Sequence, residues 1–142
     1  MQTFLPYSDY ELSAKSLDMK RLGKQRVETK QILFALSNQD YGWQNHPAIK
    51  MWRGHEYQLC LYGITICDEW RKRGYKDQQW SYFWGELRKL AAEGKICDTK
   101  PSWLNHNFCR SHQSNLIRKK PEYYAPKFPG VPMDLEYIWP VK

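Results

Sequence analysis

Within the stretch RLGKQRVETKQIL, residues 21–33, a single carboxylate, Glu28, stands just behind Arg21, Lys24 and Arg26. Read as a helix at about 100° per residue, Arg21, Lys24 and Glu28 fall within about 60° of one another, beside an apolar arc of Leu22, Ile32, Leu33 and Leu36. Glu28 is then neither core nor plainly solvent-facing. One reading is an i,i+4 pair with Lys24, but that order is the weaker one, and exposed pairs contribute only about 0.3–0.5 kcal/mol. The other is that the cations hold a polyanion and the carboxylate acts on it. The stretch alone leaves both open.

Two further basic clusters interleave with aromatics and amides: HPAIKMWRGHE at 46–56 and SHQSNLIRKKPEYY at 111–124. Each alone reads as a solvated helix face. Together they favour nucleic acid, because cations hold phosphates by counterion release, helix N-termini add backbone donors, and aromatic faces stack on or wedge between bases. His46, Lys50 and Arg53 flank a helix start at Pro47, where the helix dipole favours a phosphate; His46 is equally read as a cap. The overall balance agrees, with 22 Lys and Arg against 15 Asp and Glu for a net charge of +7. There is no GxGxxG, Walker-type loop, GxSxG or HExxH, so hydride transfer and nucleotide hydrolysis lose support.

Cys60, Cys67, Cys97 and Cys109 form no CxxC pair and are expected as reduced thiols, Cys60 and Cys67 in the core. Cys97, His106, Cys109 and His112 fall close enough in sequence to raise zinc as an alternative. Their spacing, C-x8-H-x2-C-x2-H, matches no common structural zinc pattern, and ordinary packing is the expectation.

The elements that must position these residues are helical. A chain of 142 residues, 42% hydrophobic, suits one domain over residues 1–142. Ser8 and Glu11 have the form of a capping box, so a short helix should start near Asp9 after an extended MQTFLPY arm. A second helix is expected from about Asp18 to Leu36, then a polar, turn-rich loop, SNQDYGWQN, that could lie on a ligand. One long helix should open at Pro47 and close at Gly74, interrupted by Gly54 and Gly63, which would permit close helix crossing. DQQWSYFWGELRKLAAEG and NHNFCRSHQSNLIRKK read as two more helices, ended by Gly94 and Pro121. Five of the eight prolines lie from residue 121 onward, so the tail should be irregular. Its aromatics predict that it wraps the helices rather than trailing in water. The expected fold is therefore mainly α: a compact helical bundle with an extended arm and a Pro- and aromatic-rich tail. No apolar run approaches the roughly 20 residues of a membrane span, and the N-terminus lacks the form of a signal peptide. A soluble, cytoplasmic, monomeric protein with no membrane partner is expected.

The N-terminal arm, the RLGKQRVE helix with its one Glu, the long helix ending in RKRGY and the closing LIRKKPEYYAPKF together resemble the pyrimidine-dimer DNA glycosylases of the phage endonuclease V type. The resemblance is closest to their bacterial relatives, which share segments of the MQTFLPY, HPAIKMWRGHE and RSHQSNLIRK types. It implies a helical protein that bends duplex DNA, extrudes a nucleotide and cuts the glycosidic bond with its own N-terminal amine, without a cofactor. An α-amino group ordinarily titrates near 8, against about 10.4 for Lys, so a useful fraction is nucleophilic at neutral pH. Gln2 is bulky, so Met1 is expected to be retained and to supply the amine. By this resemblance Glu28 is the carboxylate that stabilises the cationic sugar and moves protons. Gln2, Arg21, Lys24, Gln25 and Arg26 would grip DNA around the lesion. His46, Lys50, Arg53, Ser111, His112, Gln113, Arg118 and Lys119 would line the same groove, His112 being either a phosphate donor or a satisfied core histidine. Of Tyr123 and Tyr124, one is expected at the DNA and one in the core. A noncatalytic DNA-binding module on the same scaffold is the main alternative.

Overall fold

The computed structural model describes residues 1–141, among which there are seven helices and no strand. An extended arm leads into α1 (Tyr10–Ser16) and α2 (Met19–Ser37), and a loop connects these to α3 (Pro47–Trp52) and α4 (Glu56–Lys72). Then follow α5 (Trp80–Ala92), α6 (His106–Lys119), the single turn α7 (Pro121–Tyr124) and an irregular tail. No helix among the described residues is long and apolar enough to cross a membrane.

α4 is the centre of the packing. It buries Leu59, Cys60, Tyr62, Ile66 and Cys67 and packs against α2, α5 and α1. Gly63 permits the α5 crossing: a Cβ there would lie 2.6 Å from Phe83 Cε1, closer than any real contact. Gly54 acts differently from expectation. Its φ of +87° breaks the helix, so the single long helix expected from Pro47 is two, α3 and α4. The break turns α3 across the start of the arm, where Trp52 Nε1 donates to Thr3 Oγ1 at 3.0 Å.

The caps also shift slightly from the expected ones. Asp9, not Ser8, caps α1, its carboxylate accepting from Leu12 N at 2.9 Å. Asp18 precedes α2 without capping it, because its carboxylate is taken by the Tyr124 hydroxyl and Arg21. α5 is opened by Asp77, which accepts from Gln79 N at 3.2 Å and Trp80 N at 2.7 Å. The tail wraps the helices as its aromatics predicted. Tyr124 and Phe128 are buried, and the chain beyond them is tied to α6 through Arg118, Ser114 and Ser111.

Candidate active site

The arm is held along its length by side chains reaching from elsewhere in the fold. Gln25 Oε1 accepts from Phe4 N at 3.0 Å, while Gln25 Nε2 donates to Gln2 O at 3.0 Å. His112 Nδ1 accepts from Leu5 N at 3.0 Å, and Gln113 Nε2 donates to Pro6 O at 2.7 Å. Ser13 Oγ accepts from Tyr7 N at 3.1 Å, and Lys100 Nζ donates to Ser8 O at 2.7 Å. The Tyr62 hydroxyl lies 2.7 Å from Gln25 Oε1 and 2.8 Å from Phe4 O, so α4 braces the same junction. An extended segment with no ladder partner needs such acceptors, because buried backbone N–H groups left unpaired are costly.

This bracing lays the N-terminus against the middle of α2. Gln2 N is 3.4 Å from Glu28 Oε2, and Gln25 Nε2 donates to the same oxygen at 3.3 Å. Glu28 is half-buried and lines three concavities: one of about 690 Å³ runs along α2 past Met19, Val27 and Trp70, and two smaller ones flank the N-terminus. Of the smaller two, one, of about 140 Å³, is lined by Gln2, Phe4, Lys20, Arg21, Lys24, Gln25, Glu28 and Lys119. The other, of about 240 Å³, is lined by Met1, Glu28, Gln31, Tyr41, Trp43 and His46. The first is cationic and the second aromatic. Met1, Gln2, Arg21, Lys24, Gln25, Glu28, His46 and Lys119 are thus brought together, although Lys119 comes from the far end of the chain.

His46 caps α3, its Nδ1 accepting from Ala48 N at 3.0 Å. Burial, and secondarily the positive N-terminus beside it, push its pKa below the ordinary histidine value. Tyr137 of the tail is pushed up, first by burial and then by the Glu28 carboxylate. Tyr62 is likewise raised by burial, Tyr137 and Glu28. Glu28 therefore looks inward onto two tyrosines and outward onto the cation-lined opening.

Other residues expected at the groove have different tasks. Arg26 donates to the Asp77 carboxylate at 2.6 Å and lies 4.3 Å from the Trp70 ring, so it joins α2 to the start of α5 instead of gripping phosphate. Ser111 is buried, bonded to Phe108 O and Ile138 N. His112 is fully buried and stacked on Tyr137 at 4.7 Å, and burial lowers its pKa to about 3. It is the core histidine of the two readings, not a phosphate donor. Gln25 is buried and Gln113 half-buried, and both position the arm, leaving Gln25 only the floor of the cleft. Arg118 donates to Met133 O at 2.8 Å and Leu135 O at 2.9 Å, fastening the tail. Arg53 Nη2 reaches Gln44 O at 3.4 Å and Gln44 Oε1 at 3.3 Å, bracing the loop before α3. Lys50, on α3, is half-buried. Tyr124 is the core member of its pair, its hydroxyl donating to Asp18. Tyr123 is half-buried, with Lys127 4.8 Å and Lys120 5.4 Å from its ring.

The Cys97, His106, Cys109 and His112 set does not converge, and no group of three or more His, Cys, Asp or Glu among the described residues could hold a metal. His112 spends its Nδ1 on the arm, and Cys97 Sγ lies 3.4 Å from Thr99 O. Conversely, Lys20, Gln31, Tyr41, Trp43 and Tyr137 were not singled out from sequence. Lys20 and Gln31 lie on the exposed face of α2 that carries Lys24, a signal that was available; Tyr137 reaches Glu28 only through the path of the tail.

A carboxylate thus lies beside the N-terminus, under an opening lined by lysines, on a scaffold whose only regular elements among the described residues are helices. The family model for pyrimidine dimer DNA glycosylases matches residues 1–81, and the chain belongs to that family. Its activity class is DNA glycosylase and its substrate is DNA. No curated protein and no solved structure matches. The matched span contains Met1, Glu28 and Asp77, while Lys119 and Tyr137 lie beyond it.

Proposed function

We propose that this chain excises a damaged pyrimidine from duplex DNA using the amine of Met1 as nucleophile and Glu28 as the assisting carboxylate, with no cofactor, and that it also cleaves the resulting abasic site. The observation that carries the reading is the 3.4 Å approach of Gln2 N to Glu28 Oε2, which leaves the terminal amine one residue from the carboxylate. In the first step the neutral amine forms a bond to C1′ as the C1′–N1 bond breaks, its electron pair leaving with the pyrimidine, which takes up a proton. Loss of an amine proton and opening of the C1′–O4′ bond, with a proton delivered to O4′, give an imine. The imine makes the C2′ proton acidic, and its removal expels the 3′ phosphate. Glu28 stabilises the cationic sugar and transfers these protons. Lys20, Lys24 and Lys119, with Arg21, hold the flanking phosphates of a duplex bound by the monomeric protein.

Borohydride reduction with a duplex carrying an abasic site or a thymine dimer tests this. A trapped protein–DNA adduct mapping to residue 1, and lost on acetylating the terminus while binding persists, is the expected result. An adduct on a lysine would move the nucleophile; binding with no adduct on either substrate would refute the catalytic assignment.

A further inference from the structure

An imidazole stands beside the reacting groups. His46 lines the concavity of about 240 Å³ that also contains Met1 and Glu28. Burial, helped by the positive N-terminus close by, holds its pKa below the ordinary histidine value, so the ring is uncharged at neutral pH. The fold also assigns its one proton. Nδ1 accepts from Ala48 N at 3.0 Å as the cap of α3, which leaves the proton of the neutral ring on Nε2. The two nitrogens diverge across the ring, so Nε2–H points away from the backbone that His46 caps. Trp43 and Trp139 pack edge-on against the imidazole, with centroids 6.1 Å and 5.9 Å away, and limit its rotation. Nε2 has no hydrogen-bond partner among the described residues. The result is an uncharged donor, fixed in direction, at the wall of the site.

What this donor meets follows from the division of charge around Glu28. Lys20, Arg21, Lys24 and Lys119 line the smaller concavity, whereas among the described residues no lysine or arginine lines the one with His46. Phosphates belong on the first side and the uncharged sugar on the second. A neutral imidazole offers a phosphate no Coulombic attraction, yet it donates well to an oxygen on which charge develops. The ring oxygen O4′ is such an atom: it is one bond from C1′ and takes up negative charge as the C1′–O4′ bond opens.

We infer that His46 is a further catalytic residue, whose Nε2–H donates to O4′ of the deoxyribose while the C1′–O4′ bond breaks. This rests on the amine reaction proposed above. The electron pair of the breaking bond goes to O4′, and the lone pair of the nitrogen on C1′ forms the C=N bond. The proton that Glu28 took from the amine is returned to O4′, giving the 4′-hydroxyl. His46 keeps its own proton and ends the step unchanged. The step concerns the sugar alone and needs no base in the concavity.

The test uses two abasic duplexes. One carries the natural ring-closed abasic sugar; the other carries an acyclic analogue with the same aldehyde and no 4′-oxygen, so that imine formation involves no ring opening. Borohydride trapping is measured under single turnover at saturating DNA for the wild type, His46→Asn and His46→Ser. Asn and Ser are both good caps, so α3 should be retained, but each is too short to place a donor where Nε2–H stands. Thermal melts and anisotropy titrations should match the wild type. Both variants should trap the ring-closed sugar about a hundredfold more slowly and the acyclic aldehyde at the wild-type rate. Equal slowing on the two duplexes would overturn the inference, since His46 would then only hold residue 1 in place. Wild-type trapping of both duplexes by the variants, or a loss confined to DNA affinity, would overturn it too. Failure of the wild type to trap either duplex would instead refute the amine chemistry on which it stands.

Discussion

Acid should destabilise this protein through one buried histidine, and the size of the effect follows from its surroundings. His112 is fully buried, accepts the Leu5 N–H on Nδ1 and is stacked on Tyr137, so its charged form has neither water nor a counterion. Burial lowers its pKa from 6.5 to about 3. Below about pH 6.5 the unfolded chain takes up a proton that the folded protein refuses, so stability present at neutral pH is lost as the pH falls towards 3. At about 1.4 kcal/mol per pH unit, the loss between about pH 7 and pH 4.5 is about 2.5 kcal/mol, a large part of a typical 5–15 kcal/mol. His46 is shifted in the same direction and adds to the slope. Asp18 and Asp77, which are held low, act chiefly below about pH 4, where unfolded aspartates protonate. Replacing His112 by Asn retains an acceptor for Leu5 N–H and removes the titration. Urea unfolding of both proteins across this range should show the stability gap between them narrowing by about 2.5 kcal/mol on acidification. Parallel pH profiles would refute the reasoning.

Glu28→Gln keeps side-chain volume and removes the charge, so it should bind DNA with wild-type affinity while single-turnover base release falls by about a hundredfold or more. Lys24→Ala with Lys119→Ala should make the slope of log K against log salt shallower by about 1.8, measured by fluorescence anisotropy. Arg26→Ala should leave that slope unchanged and instead cost about 3 kcal/mol in denaturant unfolding, because Asp77 would be left buried without its cation. Gly63→Ala should destabilise by about 1–2 kcal/mol, as the clash with Phe83 exceeds the gain in helix propensity; a thermal melt at or above the wild-type midpoint would contradict the packing argument.

What could be read from sequence was what depends on local periodicity. α2, α5 and α6 lie within a few residues of their expected bounds, and Gly63 lies at a close helix crossing, because apolar spacing and terminal Gly or Pro are local signals. Gly54 reads in the sequence as an interruption like Gly63, because sequence does not distinguish a glycine that is squeezed from one that turns the chain. The position of Glu28 on a helix margin beside Lys24 and Arg21 was also readable, since one helix carries all three. Arg26 shares that helix and that basic cluster, yet its partner Asp77 is 51 residues away. Charge clusters reveal which residues are cationic but not which are already paired. Ser111, His112 and Arg118 are hidden from a sequence reading for the same reason: their partners are the arm and the tail, which are distant in sequence.

The nucleophile proposed above would sit at a chain terminus, which sets a structural problem that an internal lysine avoids, because termini are ordinarily the least ordered part of a domain. Here the problem is met by amide and imidazole side chains, which can accept or donate to bare backbone without being charged themselves. Gln25 holds both Phe4 N and Gln2 O and also contacts Glu28, so one buried amide sets the distance between arm and carboxylate. His112 and Gln113 extend the same support from α6, and His112 can do so only while neutral, which its burial ensures at any pH near 7. The family match ends at residue 81, before α6 begins. The geometry of the candidate site thus depends on supports outside the matched span. Substitutions at His112 or Gln113 should act on the reaction through the position of residue 1, with no contact to the substrate.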